Sequence, residues 1–193
     1  MTNKAFNELT FTVFDTETTG FSRKDAKIVE IAAVKILPGF QIDFSSPYEE
    51  LINPEIKIPY DAYKVHKISN EMVCDKPSIK DILPSFLSFA ENTVLAGHNI
   101  SRFDMAFLER DAKKHKIDMR FPFIIDTCVL TKKLFPRLAG HNLDNLIKEF
   151  NINTDELPGH RHRALFDAAN TAVILIKCME ELRKNGICRI CDL

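Results

Sequence analysis

The run Phe11-Thr12-Val13-Phe14-Asp15-Thr16-Glu17-Thr18-Thr19-Gly20 constrains this chain more than any other stretch. Leu9 to Thr16 alternates like a strand, and two carboxylates, Asp15 and Glu17, follow its apolar part. Residues two apart in a strand point to one face, so both acids aim the same way beside an apolar core. Like charges held there repel unless a cation neutralises them, and hard divalent cations favour carboxylate oxygen. The pattern therefore asks for Mg²⁺ or Mn²⁺. An exposed acidic turn ending at Gly20 accounts equally well for the Asp-x-Glu spacing alone, so the case depends on further acids.

Two are available. Asp104, in Gly97-His98-Asn99-Ile100-Ser101-Arg102-Phe103-Asp104, falls just inside a helix that follows a short strand; its bland role is a first-turn acid favoured by the helix dipole. Asp167, in His160-Arg161-His162-Arg163-Ala164-Leu165-Phe166-Asp167, lies on an apolar-rich terminal helix, where an unpaired acid is costly. His162 precedes Asp167 by five residues, about 140° around a single helix, so mid-helix positions would separate them. With His162 in the loop before the helix, its imidazole is free to reach a water at the metal and act as general base. Otherwise it is a solvated histidine in a basic loop.

Periodicity predicts strands over 9–16 and 28–37, joined around Gly20, and a third over 48–52. A short helix over 59–66, a longer one over 78–90 capped by Ser78, a strand over 93–97 and a helix over 101–113 follow. A strand at 123–126 leads into helices at 127–134, 142–150 and 163–184. Three leading strands and then strand–helix alternation predict an α/β mixed sheet with helices on both faces and the active site at strand ends.

Composition narrows the partners. With 193 residues, 45% hydrophobic and 27% charged, the chain is expected to form one domain. Lys and Arg number 26 against 27 Asp and Glu, a net charge of -1 that leaves no overall basic field of the kind that wraps duplex DNA. Asn7, Glu8 and Thr10 interrupt any leader-like apolar run, and the five cysteines are an odd number, so a cytoplasmic protein with reduced thiols is expected. Asp167, Lys177, Glu180 and Glu181 exclude a membrane span from the apolar stretch 164–182.

Taken together these residues resemble the DnaQ-like 3′-5′ exonucleases of the DEDD superfamily, histidine subgroup, over most of the chain. Asp15 to Gly20 is similar to the first exonuclease motif, His98-Asn99 through Phe103-Asp104 to the second, and His162 to Ala168 to the third, in family order. Val65-His66-Lys67-Ile68-Ser69, Ile125-Asp126-Thr127 and His141-Asn142-Leu143 resemble secondary signatures. The likeness is greatest to the exonuclease domain of bacterial DNA polymerase III proofreading (epsilon) subunits.

The resemblance implies a ribonuclease H-like fold with a five-stranded mixed sheet, an exonuclease domain over 1–184 and a short C-terminal tail over 185–193, read as loose. It implies two divalent cations held by Asp15, Glu17, Asp104 and Asp167, His162 as the general base, and release of nucleoside 5′-monophosphates from single-stranded DNA 3′ ends. It places Thr18, Gly20, Phe21, Asp61, His66, His98 and Phe103 around the terminal nucleotide, with Phe21 or Phe103 against a base. Lys113, Lys114, Lys116, Lys132, Lys133, Arg161 and Arg163 are candidates for backbone contacts, and association with a DNA polymerase is implied.

Three departures stand out. Three residues rather than two separate His98-Asn99 from Phe103-Asp104, Lys67 replaces a usual glycine, and the sequence ends without the segment that typically attaches proofreading subunits to their polymerase. A stand-alone or shortened enzyme is one reading of the last. Competing readings are an exoribonuclease acting on RNA ends or short oligoribonucleotides, a non-catalytic nucleic-acid-binding module, and a zinc site formed by Cys188 and Cys191 with His160 and His162. The sequence leaves oligomeric state open.

Overall fold

The computed structural model describes residues 3–192; the extreme ends of the expected domain and tail, residues 1–2 and 193, lie outside the described residues. In chain order the elements are β1 (Phe11–Thr18), β2 (Ile28–Leu37), β3 (Gln41–Leu51), α1 (Tyr60–His66), α2 (Asn70–Val73), α3 (Ile79–Phe89), β4 (Val94–Gly97), α4 (Asp104–His115), β5 (Ile124–Asp126), α5 (Thr127–Leu134), α6 (Leu143–Glu149) and α7 (Ala164–Lys184). The five strands form one mixed sheet in the order β3-β2-β1-β4-β5. β1 lies at its centre, antiparallel to β2 and parallel to β4.

Helices cover both faces. Phe11 and Val13 of β1, with Ala32, Val34 and Ile36 of β2, pack against Ala172, Ile174 and Leu175 of α7. Phe14, Ile31, Ala33 and Leu95 face the other way, onto Leu83 and Phe86 of α3 and Phe107 and Leu108 of α4. Both cores therefore draw on alternate residues of the same strands. Truncating one of their fully buried phenylalanines, such as Phe14, to alanine costs about 3–5 kcal/mol by the usual cavity penalty. Gly97 ends β4 where a Cβ would lie 2.7 Å from the Phe14 carbonyl oxygen and clash with Ile100 Cγ2, so only glycine fits this approach of the second motif to β1.

Three local expectations change. β3 begins at Gln41, not Tyr48; its Pro47 interrupts the strand signal but is tolerated because β3 is the sheet edge. α4 begins at Asp104 rather than Ser101, because Phe103 departs from helical geometry at φ -125°, ψ -81°. The segment after α7 is not loose: Phe6 N–H donates to the Cys188 carbonyl at 2.8 Å, Ala5 bridges to Arg189, and Ile190 is buried in the α7-side core. Pro84 sits inside α3 without ending it. Among the described residues, no helix is long and apolar enough to cross a membrane.

Candidate active site

The alternation that builds the two cores also sorts the acids. Following Phe11 and Val13, Asp15 and Glu17 emerge on the α7 side of β1, where Asp167 projects from the first turn of α7. One carboxylate oxygen from each of Asp15, Glu17 and Asp167 lies within 4.8 Å of the others. Thr16 emerges on the opposite side, toward α4. Its N–H donates to Oδ1 of Asp104 at 3.1 Å, and its hydroxyl donates to the same oxygen. Asp104, only 3% exposed, thus approaches from the far side of the strand and stands outside the three-oxygen cluster.

Burial and mutual repulsion change these acids. Asp15 is raised well above its ordinary value, chiefly by burial and then by Asp104, Asp167 and Glu17. Glu17 is pushed up to about 9 by burial and then by Asp167, with Arg163 opposing. Asp167 rises to about 7, mainly through burial and then Asp144. Asp104 rises to about 6, burial outweighing the hydrogen bonds from Thr16. Such a group holds protons near neutrality when no other positive charge is near, and hard divalent cations are the natural replacement for those protons at an all-carboxylate donor set. By donor chemistry and spacing, the residues fit such a cation.

His162 lies in the turn ahead of α7, with φ 60°, and does not belong to the three-oxygen cluster. Two residues outside the predicted site set hold the site together: one the sequence left unremarked, the other named only within a late-strand signature. Glu30 of β2, opposite Glu17 in the β1–β2 register, is fully buried and receives Arg163 and the backbone N–H of Ala164. Asp126, at the end of β5, accepts N–H bonds from Asn99 at 2.9 Å, Ser101 at 3.1 Å and Cys128 at 3.0 Å, fixing the longer loop of the second motif. The available signal for Glu30 was a charge within the apolar run 28–34.

Beside the acids opens a pocket of ≈ 210 Å³ whose lining includes Thr18, Gly20, Phe21, Asp61, His66 and Phe103. Phe21 is 89% exposed, and its ring centroid lies 6.0 Å from that of Phe103. Arg110 steadies the Phe21 loop, donating to the carbonyls of Arg23 and Ala26 at 2.9 and 2.7 Å while pairing with the buried Asp111. His66 Nδ1 accepts the Ile68 N–H at 3.0 Å, which assigns the ring proton to Nε2, a buried atom without a hydrogen-bond partner. Burial lowers the His66 pKa. Asp61 is ion-paired with Lys64.

His98 is not among the lining residues; its Nδ1 is 2.9 Å from the Thr127 hydroxyl, so it braces the second motif against α5. Of the basic residues considered for backbone contacts, Arg163 is engaged by Glu30 and Arg161 by Asp144. Cys188 and Cys191 are free thiols, and among the described residues the Asp15–Glu17–Asp167 group is the one cluster of three or more such ligands.

Comparison with known proteins gives the chain's family and fold. The exonuclease family model matches residues 12–175. A PolC-type DNA polymerase III from Caldanaerobacter subterraneus is 39% identical over 177 residues, covering 92% of this chain but 12% of that protein. The chain thus spans about an eighth of the length of this relative. The structure of exonuclease X in complex with 5′ overhanging duplex DNA is 30% identical, with a TM-score of 0.71, 91% of this chain and 93% of that one being covered. Escherichia coli exonuclease I in complex with a dT13 oligonucleotide shares the fold at a TM-score of 0.77 and 17% identity, covering 92% of this chain and 42% of that one.

Proposed function

This chain belongs to the exonuclease family, and on that premise we propose that it is a metal-dependent 3′-5′ exonuclease removing nucleoside 5′-monophosphates from single-stranded DNA in proofreading or repair. The observation that carries the reading is the convergence of Asp15, Glu17 and Asp167 within 4.8 Å, beside a pocket flanked by two aromatic rings.

In this reading Asp15, Glu17, Asp104 and Asp167 hold two Mg²⁺ or Mn²⁺ ions. When bound there, divalent cations would supply acidification of a water and would offset charge on the scissile phosphate and the leaving 3′-oxygen. His162 accepts a proton from the attacking water, a task for which imidazole is suited near neutral pH. Thr18, Gly20, Asp61 and His66, which line the pocket, receive the terminal nucleotide. Phe21 and Phe103 stack on or wedge the terminal bases, which any base sequence permits. Cations bound in the cleft also reconcile a polyanionic substrate with the chain's net charge of -1.

We assign the catalytic domain to residues 1–184 and a short tail to 185–193. Similarity to PolC-type DNA polymerase III supports action alongside a polymerase, in the cytoplasm. Incubation of matched single-stranded DNA and RNA with Mg²⁺, followed by chromatography of the released nucleotides, tests the assignment. The expected result is 5′-monophosphates released faster from DNA. Faster release from RNA would make the protein an exoribonuclease, and binding without release would make it a binding module.

A further inference from the structure

Helix α7 starts without a cap of its own. Arg163 occupies the N-cap position and its side chain accepts no hydrogen bond there, although the free N–H groups of a helix start require acceptors. The acceptor comes from the sheet. Glu30 of β2 takes the Ala164 N–H on Oε2 at 2.9 Å and the Arg163 Nε–H on its two oxygens at 2.9 and 3.0 Å, while Arg163 Nη2 closes the fork on Oε1. A carboxylate at a helix N-terminus gains from the dipole, and a bidentate guanidinium fixes its orientation as well as its charge.

The surroundings give this pair its meaning. On one side of it, His162 adopts a left-handed backbone conformation at φ 60°, which residues with a side chain avoid unless held. On the other, Asp167 donates its N–H to the Arg163 carbonyl at 3.1 Å in the first turn of α7. Glu30 itself faces Glu17 across the β1–β2 pairing. One carboxylate–guanidinium pair thus joins β2, the strand paired with the one bearing the first motif, to the turn bearing the third, across 133 residues of sequence.

We propose that Glu30 and Arg163 form a clasp that positions His162 and Asp167 over Asp15 and Glu17, making both of them positioning residues for hydrolysis; this rests on the functional reading above. Arg163 is occupied in this role, with Glu30 on its fork and Glu49 at 3.7 Å, rather than available to the nucleic-acid backbone. Lysine at 163 retains the charge but lacks the planar fork.

The test compares Glu30→Gln, Arg163→Lys, Arg163→Gln and the Glu30→Gln/Arg163→Gln double variant with the parent chain. Thermal midpoint, Mn²⁺ affinity by titration calorimetry, and kcat and KM on single-stranded DNA are measured well below the melting range. Loss of a partner that orients ligands typically costs about 10–100-fold in metal affinity or activity. The expected result is a loss of that size in kcat and in Mn²⁺ affinity, with KM nearly unchanged. Arg163→Lys should recover only part of it, and the double variant should be no worse than the more damaged single variant.

Variants that melt earlier yet keep kcat and Mn²⁺ affinity within about twofold would reduce the pair to a stability element and overturn the clasp; the twofold margin is small beside the expected loss. Should Glu30→Gln fail to fold, Arg163→Lys decides on the same criteria. If the parent binds Mn²⁺ but hydrolyses nothing, the exonuclease reading fails while Mn²⁺ affinity still judges the clasp: undiminished affinity in Arg163→Lys rejects it, and weakened affinity supports it.

Discussion

Asp15 and Glu17 leave a central strand and meet Asp167 from a helix tied back to the sheet by Glu30, whereas Phe21 and Phe103 project from loops into a pocket that Phe21 leaves largely open. Both regions belong to one cleft, but they are stabilised differently. The acidic floor is set by strand alternation and by bonds between residues distant in sequence. The pocket wall is carried by loops rather than strands and is steadied by side-chain bonds to their carbonyls, such as the hold of Arg110 on Arg23 and Ala26. The difference teaches that the floor should govern the rate of chemistry and the wall the hold on substrate.

Substitutions that separate these roles sharpen or break the comparison. The largest effect is expected from Asp15→Ala, which should abolish metal-dependent hydrolysis while far-ultraviolet circular dichroism remains that of the parent; removing a raised, mutually repelled carboxylate should not endanger the fold. His162→Ala should cut turnover by about 10²–10⁴-fold, the usual contribution of general acid–base catalysis. It should also remove a limb of the pH–rate profile, and an unaltered profile would take His162 out of the mechanism.

On the wall, Phe21→Ala should leave kcat near the parent value and raise KM about tenfold, since stacking a base is worth roughly 1–3 kcal/mol. Steady-state kinetics on oligonucleotides checks this, and a loss confined to kcat would erase the distinction between floor and wall.

The smallest effect concerns stability. Glu17 and Asp167 titrate near 9 and 7 in the folded chain, against ordinary values of 4.5 and 3.8. The native state therefore binds more protons than the unfolded chain between those values. This contribution is complete below about pH 4, the ordinary carboxylate range, and is lost as pH rises through about 7 and then about 9. Thermal melts in chelator should accordingly fall over that interval, while millimolar Mg²⁺ should flatten the decline and release protons to the buffer. A midpoint that rises with pH in chelator would contradict the assigned shifts.

Much of the floor was legible before the structure. Asp15 and Glu17 interrupt an apolar strand at a period-two spacing, and Asp167 interrupts an apolar helix, so each acid announces itself locally. Glu30 carries a similar local signal, but its partner lies 133 residues away and strand periodicity contains no information about that pairing. Asp126 was legible only as part of a late-strand signature; its bonds to Asn99 and Ser101 depend on β4 and β5 lying side by side. The length of β3 was obscured by Pro47 and polar neighbours, which an edge strand accepts. His98 was grouped with the pocket by motif, whereas tertiary packing turns its ring to Thr127.

The central claim is that the acidic floor drives stepwise removal of nucleotides from a 3′ end with the help of a divalent cation. It is tested most directly by following 5′-labelled single-stranded DNA at single-nucleotide resolution in Mg²⁺ and in chelator, with the parent chain and with Asp15→Ala. The account predicts a ladder shortening from the 3′ end only for the parent with metal. Equal degradation in chelator, or by Asp15→Ala, would contradict it.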